Sequence, residues 1–248
     1  MSLHYMTKTC LALATVTAIS PLWAFPVTLD TTWLDANSTL TLSQDAQSTL
    51  AITGITTSVG GRATPVGQGA YNIPVTSLSM DIGLLPPTLN PTKAVAGGSS
   101  LNFTNTLTGG EAGFANLTLD FKKHIIYGDV TTPSSSFSAM PLFTFDVLQP
   151  LTFSFKGGIS LTESLGNLHF TDVGAQTFAA GLKIPDFLAP VFTQINFGSI
   201  QAQVVPWFRS PALKQASLPG SVSAVPEPAA TLMLGMGLAA LCVLMRRH

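Results

Sequence analysis

Charge is what this sequence has least of. Only 9% of its 248 residues are Asp, Glu, Lys or Arg, far below the roughly 25% of an ordinary soluble domain. The 11 basic and 12 acidic residues leave a formal net charge of −1, and no run of Lys/Arg is longer than a pair. Nucleic-acid binding, which needs clustered basic side chains, is excluded as a function class. Cysteine is equally scarce. Cys10 and Cys242 lie in apolar segments at opposite ends, so the stretch between them has no disulfide, thiolate metal site or cysteine nucleophile. Only His124 and His169 lie between Phe25 and Ala224, too few for a three-histidine zinc site. The H-E-x-x-H, P-loop, EF-hand and G-x-S-x-G patterns are absent. The sequence calls for no metal, no cofactor and no catalytic residue set.

The two ends are what the chain has in place of charge. Residues 1–24 read as a secretory signal: Lys8 supplies the positive start, Cys10 to Ile19 the apolar stretch, and Pro21 breaks it before Leu22-Trp23-Ala24. Cleavage is expected between Ala24 and Phe25. At the other end Val225-Pro226-Glu227-Pro228 precedes the charge-free run Ala229 to Met245, and Arg246-Arg247-His248 closes the chain. That run matches the lower end of the roughly 17–25 residues that cross a bilayer as a helix. The arginine pair behind it fits a cytoplasmic anchor by the positive-inside rule.

The combination of Pro226-Glu227-Pro228, an apolar span and a terminal Arg246-Arg247 pair resembles the PEP-CTERM sorting tail of exported Gram-negative bacterial proteins. The resemblance covers about the last two dozen residues. It implies export by the general secretory machinery and an inner-membrane-anchored intermediate held by residues 229–245. Processing by an exosortase and delivery to the cell surface or the extracellular space would follow. It also implies a role linked to exopolysaccharide, biofilm or surface matrix.

The middle of the chain is expected to fold as one all-β, sandwich-like antiparallel ectodomain over residues 25–208. A flexible linker follows over 209–224, and the sorting tail occupies 225–248. Leu40 and Leu42 alternate with Thr39, Thr41 and Ser43, the period-two pattern of a half-buried strand. Leu50 and Ile52 continue that pattern after a polar break, and Tyr71 to Ile82 forms a further strand. Residues 83–100, rich in Pro and Gly, are expected to be a long loop or a boundary between sheet segments. A hairpin follows, with Leu101 and Phe103 on one arm and Ala115, Leu117, Leu119 and Phe121 on the other. Phe143, Phe145 and Val147, then Leu151, Phe153 and Phe155 beyond a Gln149-Pro150 turn, form the expected aromatic heart of the core. One short helix is expected over 173–182, capped by Asp172 and ended by Pro185. A last strand is expected over 191–205, with a bulge near Gly198. The phrases Asn116-Leu117-Thr118 and Asn167-Leu168-His169 hint at a repeat.

Three constellations bear on chemistry. His169 and Asp172 are neighbours in sequence, but an extended strand sends positions three apart to opposite faces. Paired carboxylates for glycoside hydrolysis could be drawn from Glu111, Asp120, Asp146, Glu163 and Asp172. Glu111 in a turn and Glu163 beside one instead read as solubilising acids. His124 and Tyr127 are a residue pair able to ligate haem, again three apart. The expected function is therefore a non-enzymatic surface or matrix protein, structural or polysaccharide-associated. A secreted carbohydrate-active enzyme and a haem-like small-ligand carrier are the alternatives. Intact-mass analysis of protein from cells and medium tests the reading of the ends. Loss of residues 1–24 and of those beyond about 226 is expected, and full-length mass in the membrane fraction would refute sorting.

Overall fold

The computed structural model describes residues 24–84, 87–154 and 160–208. The signal segment up to residue 23, the linker, Pro226-Glu227-Pro228, the 229–245 span and Arg246-Arg247 lie outside them. Ala24 and Phe25, flanking the expected cleavage point, open the first strand.

In chain order the strands are β1 (Ala24–Asp30), β2 (Leu34–Leu42), β3 (Ile55–Gly61), β4 (Thr64–Gly67), β5 (Ala70–Pro74) and β6 (Ser77–Leu84). They continue with β7 (Pro87–Asn105), β8 (Gly110–Asp120), β9 (Ile125–Thr131), β10 (Ser136–Ser154), β11 (Ser160–Phe170) and β12 (Gly198–Phe208). The helices are α1 (Gln44–Ile52), α2 (Asp172–Gly181) and α3 (Ala189–Gln194), with a 3-10 turn at Asp186–Leu188. All-β architecture holds, but not as two stacked layers. The twelve strands belong to a single antiparallel sheet, ordered β1-β6-β7-β8-β9-β10-β11-β12-β2-β5-β4, with β3 also on β7. The sheet curls until β5 packs against β7. Thr76, just beyond β5, donates its backbone N–H to the Val95 carbonyl at 2.7 Å and ties the two together. Among the described residues no helix is long and apolar enough to cross a membrane.

Four segments depart from expectation, each for a local reason. Residues 44–52 are a helix because Ser43 caps it, its hydroxyl accepting from Ala46 N at 3.0 Å. Asp45 stands in the first turn, and Ala46 and Leu50, four apart, are buried. Residues 87–105 form one long strand instead of a loop. Pro91 sits at a register shift against β6, and Gly97-Gly98 fall within another against β8, Gly98 at φ +73°. Bulges are where a sheet admits proline and glycine. β10 runs through Gln149-Pro150 by the same device, with shifts on both sides of Gln149, and Phe153 is left 46% exposed. Residues 189–194 are helical, and Gly198 begins β12, since a side chain there would strike the Thr41 carbonyl.

The hinted repeat is physical. Asn116 on β8 and Asn167 on β11 both sit at φ +51°. Each carboxamide donates to an aspartate on the neighbouring strand, Asn116 to Asp129 at 2.8 Å and Asn167 to Asp146 at 2.9 Å. Asn tolerates the left-handed region better than other side chains, so each pair pins a bulge. The bulge at Asn116 reverses the inward phase of β8, and Phe114 is buried where strict alternation would expose it. A second likeness links β2–α1 with β11–α2. Ser43 and Thr171 cap the helices with matching geometry, and the buried residue seven positions on is Leu50 in one and Phe178 in the other. Thr171, not Asp172, is the cap of α2; its hydroxyl accepts from Gly174 N at 3.0 Å.

The core has two ends. At one, Phe178 from α2 is fully buried and meets Phe103 edge-on at 5.0 Å, Phe170 at 5.0 Å and Phe192 at 5.3 Å. Phe143 stacks on Phe170 at 4.3 Å. At the other end the wall is mostly Leu, Val, Ile and Ala, joined by Phe121. Phe178→Ala should cost about 3–5 kcal/mol, read as a lower midpoint in denaturant unfolding with an unchanged slope.

Candidate functional site

Polar chemistry gathers at one carboxyl group inside the curl and in several grooves on its outer surface. Inside, β11 turns Leu161, Glu163 and Leu165 toward the core, with Glu163 opposite Ala202 on β12. Glu163 is 5% exposed and lines an apolar cavity of about 50 Å³ with Leu78, Ala94, Leu119 and Val204. Its Oε1 has no hydrogen-bond partner among the described residues. Burial alone pushes its carboxyl up to about 7 from 4.5, because a charge is poorly solvated among aliphatic side chains. The expectation of a solubilising surface acid beside a turn is corrected here. The mid-strand phase, Leu161-Thr162-Glu163-Ser164-Leu165, was the signal: alternation with two leucines points the Glu inward.

Outside, β7, β8 and β9 frame an open groove of about 650 Å³ lined by Thr92, Lys93, Asn116, Thr118, Asp120 and Tyr127. Lys123 Nζ lies 5.9 Å from the Tyr127 ring centroid. Lys123 and Lys122 form wide surface ion pairs, at 3.8 Å each, with Asp120 and Asp81, contacts that contribute little in water. Asp129 at the groove floor is committed to structure. It accepts from Asn116 through Oδ2 and from Ala139 N, at 3.1 Å, through Oδ1.

The other sequence candidates are dispersed. His169 Nδ1 lies 3.2 Å from the Thr193 carbonyl oxygen, while Asp172 is in the first turn of α2. His124 sits at φ +57° with its ring stacked on Phe145 at 5.5 Å, whereas Tyr127 belongs to the groove. Glu111 is exposed on β8, Asp146 is exposed on β10 with Asn167 on it, and Asp120 caps the 121–124 turn by accepting from Lys122 N and Lys123 N. Among the described residues no group of three His, Cys, Asp or Glu side chains is placed to hold a metal.

Residues 224–247 match the PEP-CTERM protein-sorting motif. The chain carries an exosortase-type sorting tail. That tail implies export, a membrane-anchored intermediate and exosortase processing. No curated protein is similar enough in sequence to stand as a relative. Two solved structures share a distant likeness, both from Corynebacterium glutamicum. One is the C-terminal domain of HtaA, at 12% identity and a TM-score of 0.44, covering 70% of this chain and 98% of that one. The other is the heme binding protein HtaB, at 10% identity and a TM-score of 0.39, covering 75% and 98%. Neither likeness is near enough to carry a function across.

Glu163 makes stability depend on pH. In the folded protein it holds its proton up to about 7, while the unfolded chain releases it near 4.5. Its contribution is therefore complete below about 4.5 and is lost as pH rises to about 7, by about 3 kcal/mol at most. Denaturant midpoints measured from pH 4.5 to 8 should fall for the wild type. Glu163→Gln should remove that slope.

Proposed function

We propose that this is a non-enzymatic surface or extracellular-matrix domain that associates with polysaccharide through the groove across β7, β8 and β9. The groove is the observation that carries the reading. It is open, and it presents hydroxyl, amide, ammonium and carboxylate groups beside the one aromatic ring of Tyr127. Sugars are bound by that mixture, since ring faces pack on an aromatic while hydroxyl groups find paired donors and acceptors. The sorting tail supports the same destination, because it marks an exported, exosortase-handled protein.

The enzyme reading is less well supported by the placement of its carboxylates. Glycoside hydrolysis needs two carboxyl groups facing each other across the scissile bond. Glu163 is buried in the interior, whereas Asp146 and Glu111 are exposed on the outer surface. A haem-like carrier is also less well supported. The interior cavity of about 50 Å³ is far below the roughly 300–1,000 Å³ of ordinary cofactor pockets.

Co-sedimentation with the exopolysaccharide of the producing cells tests the proposal. The wild type should bind, and Tyr127→Ala should bind about tenfold more weakly with an unchanged melting temperature. Equal binding by Tyr127→Ala, or release of sugar fragments from labelled polysaccharide, would overturn it.

A further inference from the structure

The aliphatic end of the interior plays no part in the proposed surface role, yet it holds a polar group that a purely structural core has no use for. Eighteen residues line the cavity around Glu163, and Ser38 is the only other polar one. The Ser38 hydroxyl is already committed, donating to the Ile73 carbonyl at 2.7 Å. The carboxyl is therefore the one group there with unmet hydrogen-bonding capacity, through Oε1. A second void of about 30 Å³ lies toward the aromatic end, between Leu42, Phe103, Phe143 and Leu168. Leu40, Leu117 and Ile200 wall both voids, so the two are neighbours in the interior with these three side chains between them.

The dimensions and chemistry of the two voids restrict their occupant. At roughly 10–15 Å³ per water-sized group, they take three to five such groups beside Glu163 and two or three beyond. Water suits only the polar end, because an internal water needs two to four polar partners and the rest of the wall is hydrocarbon. Each void alone is smaller than a six-membered ring, and a chain that reaches from one to the other has to pass between Leu40, Leu117 and Ile200, which favours an unbranched one. We propose that the interior is a binding site for a short unbranched aliphatic molecule with one hydrogen-bond-donating head. A primary alcohol or amine of about four to six non-hydrogen atoms would place its head on Glu163 Oε1 and its chain against Leu117 and Ile200. This site is independent of the outer groove.

The two heads behave differently with pH. An alkylammonium pairs with the ionised carboxylate, so its affinity rises as pH passes from 6 to 8 through the carboxyl's value of about 7. An alcohol donates to either form and shows no such rise.

Calorimetric titration of the protein recovered from its producing cells with n-butanol, n-butylamine and tert-butanol tests the site. At least one linear ligand should bind about tenfold more tightly than tert-butanol. Glu163→Leu should weaken that ligand by about tenfold, and Glu163→Gln should keep the alcohol while losing the amine. Leu117→Phe, which leaves Glu163 in place and intrudes on both voids, should abolish binding of both and covers the case in which the Glu163 variants do not fold. Absence of binding by both linear ligands, equal binding of tert-butanol, or undiminished binding by Leu117→Phe would overturn the proposal.

Discussion

A sheet with one apolar face must cover that face, and among the described residues there is no second sheet to do it. Burial is achieved by curling one antiparallel sheet until β5 returns to β7. The rest of the architecture follows from that closure. Curling needs local bends, and they are supplied by bulges at Pro91, Gly97-Gly98, Asn116 and Gln149. The ends of the curl need plugs, and α2 with Phe178 closes one of them. With no cysteine between Cys10 and Cys242, hydrophobic burial in the closed interior does the work that disulfides do in many exported domains.

The closed sheet also separates two chemistries. Inward positions are almost wholly apolar, so a single carboxylate there is neutralised by its surroundings. Outward positions are rich in Thr, Ser, Asn and Gln, and the groove across β7–β9 combines Thr92, Asn116 and Thr118 with the charged Lys93, Asp120, Lys122 and Asp129. The low charge of the sequence thus has a structural meaning. Polarity on the outer face rests largely on neutral side chains.

Clean alternation was legible in the sequence in β2, the hairpin of β7 and β8 was legible without its phase reversal at Asn116, and so was α2, where the buried Phe178 and the capping Leu182 lie four apart. Misreadings fell where a bulge or a cap overrides periodicity. Pro and Gly in residues 87–98 signal a loop only if a long strand cannot bulge around them, and here it does. Leu50 and Ile52 look like a strand until Ser43 is seen as a cap with Asp45 behind it. The sandwich expectation failed because alternation shows that one face is buried, not whether a second sheet or the same sheet buries it. Glu163 was misjudged for want of its strand phase, and the groove was invisible because Lys93, Asn116 and Tyr127 meet only through strand pairing.

The most direct test of this separation is a carbon NMR titration of the Glu163 side-chain carboxyl in the intact protein. The account expects its inflection at about 7, unmoved by salt because the group is screened from solvent ions. An inflection near the ordinary 4.5 would show Glu163 in contact with water and would contradict the closed, apolar interior.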